Sequence, residues 1–116
     1  LWNVSTSYQG IIFSAVEPRY RSVIFMGYGV YKSQLQDIAE ANPMYFAPHI
    51  RAPKLMLNGR YDEDFHFKTD AEPLYKLLRE PKRLELYDGG HAPPLEVMVP
   101  VTSRWLDETL GPVMRD

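Results

Sequence analysis

The sequence has 116 residues, enough for one small domain, with 45% hydrophobic and 24% charged residues, ordinary for a globular protein. A formal charge of −2 offers no basic field to attract nucleic acid or an anionic membrane surface, and no run reaches the roughly 20 apolar residues that span a bilayer. Cysteine is absent, which excludes disulfides, thiolate catalysis and cysteine-ligated zinc; it leaves the compartment open, with the cytoplasm as the expectation.

In chain order, residues 1–4 read as the end of a strand and Ser5-Thr6-Ser7 as a tight turn or helix start. Residues 8–16 suit a short helix with Ile11, Ile12, Ala15 and Val16 on its apolar face, stopped by Pro18. Residues 22–26 are apolar and branched enough for a buried strand, punctuated by Gly27-Tyr28-Gly29. A weaker helical pattern covers 33–41, followed by a loop rich in proline and aromatics over 42–48. Pro53 introduces the strand Lys54-Leu55-Met56-Leu57, which Asn58-Gly59 ends. Thr69-Asp70-Ala71-Glu72 fits a capping box, so a helix is expected to start there with Leu74, Leu77 and Leu78 inward. Pro81 breaks that helix, and residues 83–87 alternate as a half-buried strand before the turn Asp88-Gly89-Gly90. The last helix covers about 96–110 despite Pro100, with Val97, Val101, Trp105 and Leu110 as its buried stripe and Gly111-Pro112 as its stop.

Short strands that alternate with helices predict an α/β fold, a parallel sheet with helices on both faces. In such a sheet, ligands gather beyond the C-terminal ends of the strands. Ser5 or Ser7 follows the first strand, Asp62 the third and His91 the fourth. Serine, acid and histidine are the types that nucleophilic acyl transfer needs: histidine takes the serine proton and the acid fixes the histidine tautomer. Their order along the chain is Ser…Asp…His.

At these residues the chain resembles the α/β-hydrolase superfamily, in particular its dienelactone-hydrolase and prolyl-oligopeptidase-like branches. IRAPKLMLNGRYD, residues 50–62, is similar to the family's penultimate strand and the loop that holds the triad acid. AEPLYKLLREPKRLELYDGGH, residues 71–91, resembles its next helix, final strand and histidine loop, and SRWLDETLGPV, residues 103–113, its closing helix. The resemblance implies a serine hydrolase of carboxylic esters or peptide-like acyl substrates, with catalytic Ser5, Asp62 and His91. It also implies an oxyanion donor at the Thr6 backbone N–H and no cofactor or metal. The family's nucleophile elbow is G-x-S-x-G, whereas this chain reads Asn3-Val4-Ser5-Thr6-Ser7 around Ser5, or Ser5-Thr6-Ser7-Tyr8-Gln9 around Ser7. Gln9 crowds the position where the helix passes the strand, and the spacing to Pro18 suits Ser5 better, so Ser5 is preferred and Ser7 stays open.

The loop that supplies the second oxyanion donor, and the earlier strands of the family's sheet, have no counterpart in the sequence, so the chain is expected to be the C-terminal portion of such a domain. It begins at Leu1-Trp2, directly on a strand-like run, which leaves that strand an unpaired edge. The expected partners are a small ester or peptide-like substrate and either a second copy or the missing N-terminal half, with no nucleic acid and no membrane. The competing expectation is a remnant or accessory module that keeps the fold without turnover. Asp62, Glu63 and Asp64 lack the spacing of a calcium loop and read as solvated turn residues. His66 is expected near the pocket mouth without a role, and His49 is expected to be structural. Tyr28, Tyr45 and Phe46 read either as pocket lining or as core and rim aromatics.

Overall fold

The computed structural model describes residues 2–5, 9–30 and 39–114. Strands β1 (Trp2–Ser5), β2 (Ser22–Met26), β3 (Lys54–Gly59) and β4 (Lys82–Tyr87) form one parallel sheet in that spatial order. Neighbours are in simple register: Ser5 beside Phe25, Ile24 beside Leu55, Met56 beside Leu84. Parallel strands need crossovers long enough to return to the same edge, and helices provide them here. They are α1 (Gln9–Val16), the short α2 (Pro43–Phe46) and α3 (Glu72–Leu77), and the closing α4 (Leu95–Leu110) follows the last strand.

Side chains along a strand alternate between faces, so the two central strands feed two cores. Val23, Phe25 and Met56 pack with Ile11, Met44, Ile50, Leu74 and Leu78 beneath α1, α2 and α3. Ile24, Met26, Leu55 and Leu57 pack on the other face with Tyr87 and Trp105, under α4. Every residue of β2 and β3 is buried, which explains the apolar runs at residues 23–26 and 55–57. The Thr109 hydroxyl near the end of α4 hydrogen-bonds with that of Ser22 at 2.9 Å, tying the helix to the start of β2.

Several expectations need correction. The expected helix over 33–41 lies mostly outside the described residues, and its last three, Ala39–Ala41, form a 3₁₀ turn. β3 continues through Asn58 and Gly59, because β4 pairs with both, opposite Leu86 and Tyr87. The helical turn at Thr69 begins earlier, as a wide turn over Phe67–Ala71 that runs into α3. The Asp70 carboxylate reaches back to accept from His66 N at 2.9 Å, so Asp70, rather than Thr69, satisfies the free donor there. Leu77 is 39% exposed while Leu74 and Leu78 are buried, because the helix stops after Leu77 and turns Leu78 inward. Val16 and Leu110 are exposed too, each the last residue of its helix, beyond the reach of the layer it was expected to face.

Candidate active site

The loops after β3 and β4 meet at the C-terminal edge of the sheet. Asp62 follows β3, and its side chain is fully buried. Burying a carboxylate is costly unless its lone pairs are filled, and here they are. Oδ1 accepts from the backbone N–H of Asp64 at 2.8 Å and of Phe65 at 3.0 Å. Oδ2 lies 2.9 Å from Nδ1 of His91, in the loop after β4. An ionised carboxylate only accepts, so this contact places the hydrogen on Nδ1 and leaves the lone pair on Nε2. The His91 side chain is 45% exposed: one side is held and the other is open to solvent.

The imidazole has a fitted floor. Gly27, at the end of β2, has φ +65°, and a Cβ there would lie 2.8 Å from His91 Cε1 and 3.1 Å from Nδ1. Phe65 stacks on the ring at 6.0 Å between centroids. The loops also share main-chain bonds, Arg60 N–H to the Tyr87 carbonyl at 2.9 Å and Tyr61 N–H to the Gly89 carbonyl at 3.0 Å. A Cβ at Gly59 would run into the carbonyls of Gly89 and Gly90, so only glycine lets the two loops approach this closely. Sequence reading took Gly27 and Gly59 only as strand punctuation and missed Phe65. Their common signal is contact with the His91 loop, and that contact exists only in the folded chain.

Ser5 is the last residue of β1, so its backbone ends at the same edge of the sheet as Asp62 and His91. Thr6 and Ser7 lie outside the described residues. Asp64 Oδ2 lies 3.7 Å from His91 Nδ1, with its side chain 66% exposed. Asp62, Asp64 and His91 thus gather polar atoms within 4.8 Å of one another, with the Nδ1 hydrogen directed at the carboxylates. His66 is exposed, and its backbone rather than its ring makes the contact with Asp70. His49 is exposed beside Glu17, Arg51, Arg79 and Glu80 in a cleft of about 680 Å³. That cleft opens ahead of β3 and β4, at the opposite end of the sheet from Asp62 and His91. Tyr28 is core, with its ring 4.9 Å from that of Phe25; Phe46 packs against the same cluster and Tyr45 is exposed. No helix among the described residues is long and apolar enough to cross a membrane.

No protein-family model matches the chain, and no curated protein sequence does. Solved structures do. An esterase from an Arctic intertidal metagenomic library, solved with zinc bound, superposes with a TM-score of 0.74 at 22% identity, over 94% of this chain and 48% of its own. Acetyl xylan esterase 1 from Thermoanaerobacterium gives 0.67 at 17% identity, over 93% and 45%. An acylaminoacyl peptidase gives 0.69 at 11% identity, over 99% of this chain and 24% of its own. The fold is therefore that of the α/β-hydrolases, and the chain spans about half the length of the esterases it matches.

Proposed function

We propose that this α/β-hydrolase-fold chain is the C-terminal portion of a serine hydrolase acting on carboxylic esters or peptide-like acyl bonds. One observation carries the reading: a fully buried carboxylate, fixed by two backbone donors, aims its second oxygen at a half-exposed imidazole 2.9 Å away. In the proposed cycle Ser5 Oγ attacks the acyl carbon and its proton passes to His91 Nε2. Asp62 stabilises the imidazolium and keeps the ring in place. The Thr6 N–H supports the oxyanion. Collapse of the tetrahedral species expels the leaving group with the proton from His91, and water repeats the sequence to free the acid. The esterases and the peptidase that share the fold support the substrate class.

A second reading, a hydrolase-fold module without turnover, is favoured by Asn3 and Ser7 standing where the elbow pattern has glycines. Labelling with a fluorophosphonate and turnover of short p-nitrophenyl esters separate the two, in the longest polypeptide that carries the chain. The expected result is a covalent adduct on Ser5 and loss of both adduct and turnover in Ser5→Ala, with Ser7→Ala active. The reverse pattern moves the nucleophile to Ser7. An unlabelled protein without turnover establishes the second reading.

A further inference from the structure

The geometry points to Tyr87 as a positioning residue for His91, acting through the peptide that carries the histidine rather than by touching its ring. The inference rests on the reading of His91 as the catalytic base. Tyr87 ends β4, and its ring is buried among Ile24, Leu57 and Trp105. Its hydroxyl lies 2.6 Å from the carbonyl oxygen of Gly90 and 3.1 Å from that of His91, so two successive carbonyls converge on one donor. The same two carbonyls also lie against two glycines. A Cβ on Gly59 would strike the Gly90 oxygen, and a Cβ on Gly27 would come within 3.2 Å of the His91 oxygen. The 90–91 backbone thus contacts two glycine surfaces and one phenol, and the imidazole it carries is held against Asp62. Burial first, and then the nearby Asp62 charge, push the phenol up from its ordinary range, so Tyr87 remains a donor throughout the neutral and mildly alkaline range.

An ordinary core tyrosine also finds a partner for its hydroxyl, and the difference lies in what is lost with the oxygen. Gly90 and His91 are solvent-exposed residues. Their loop stands at the surface, so losing one donor leaves the packing of the Tyr87 ring in place and the cost to stability is modest. Water cannot fix the loop's position, and misplacing a catalytic group by about 1 Å costs on the order of 10²-fold in rate. Tyr87→Phe keeps the ring and removes only the donor. The expected result is a kcat lowered by about 10–100-fold with KM unchanged and a Tm within a few degrees of the parent. In ¹⁵N-histidine NMR the His91 ring should move from the Nδ1–H form toward a mixture of tautomers. A fall in kcat alone, or the tautomer shift, supports the assignment. Unchanged kcat with an unchanged ring overturns it, and so does loss of cooperative melting, which assigns the hydroxyl to stability. If the parent turns over no ester, the hydrolase reading fails, and the NMR comparison still decides whether Tyr87 holds the ring.

Discussion

At the scale of single residues, the site depends on absences as much as on groups. Gly27 combines a positive φ with an imidazole resting where its side chain would stand. Alanine there strains the backbone and pushes His91 away from Asp62, two costs from one methyl group. Gly27→Ala is expected to lower kcat/KM by about 10²-fold and stability by roughly 1–3 kcal/mol. Ester kinetics and a urea melt on the same preparation check both, and a variant with parental kinetics would show that the ring does not need this floor. Asp62 and His91 were legible as a pair because each follows a strand and carries the residue type the chemistry needs. Gly27 was legible only as a break. What makes it a site residue is the His91 ring, brought against it by β3 and β4 folding alongside β2.

At the scale of elements, β3 carries an unusual load. Its first residue, Lys54, is fully buried, and Nζ donates to the Arg79 carbonyl at 2.6 Å. Burial lowers its pKa from 10.5 to about 8, with Glu80 pulling the other way and Lys82 adding to the fall. The folded-state value lies below the unfolded one, so the cost of the buried charge is present in full below pH 8. It is relieved as the pH rises from about 8 toward 10.5, where the unfolded chain still binds the proton and the folded chain has lost it. Stability should therefore rise by on the order of 1–3 kcal/mol across that window. Lys54→Met should flatten the rise. Urea melts at neutral and alkaline pH measure it, and an equal rise in both proteins would assign the effect elsewhere. The strand itself was legible as Lys54-Leu55-Met56-Leu57, because both its faces are covered and three of these four side chains are apolar. Its last two residues were not, because Asn58-Gly59 is turn chemistry that only pairing with Leu86 and Tyr87 turns into strand. The capping-box reading at Thr69 failed for a similar reason. Asp70 bonds back to His66, and local propensity does not choose between two carboxylate-to-backbone contacts.

At the scale of the whole molecule, β1 stands at the edge of the sheet, with β2 as its strand partner among the described residues. An edge strand offers a row of backbone donors and acceptors to any strand that fits. The 13.5 kDa chain is therefore expected to elute above its own mass, or to pair with a polypeptide that supplies the rest of the fold. On the proposed serine-hydrolase reading, the chain by itself should turn over esters well below the typical enzyme rate of about 10 per second, since going without one oxyanion donor costs about 10²–10³. Size-exclusion chromatography with light scattering, and ester turnover on the same fractions, test this. A monomer working at the typical rate would contradict it. The sequence by itself determined the alternation of strands and helices, the parallel sheet it implies, and the acid and histidine beyond strands three and four. Those follow from periodicity and residue chemistry, which act over a few neighbouring positions. Only the tertiary structure decided which oxygen of Asp62 faces His91, that Gly27, Gly59 and Phe65 shape the histidine's seat, and that the Tyr87 hydroxyl meets the histidine loop. Each of these is a contact between different strands and loops. Its energy appears only when side chains and carbonyls from separate parts of the chain compete for the same few ångströms.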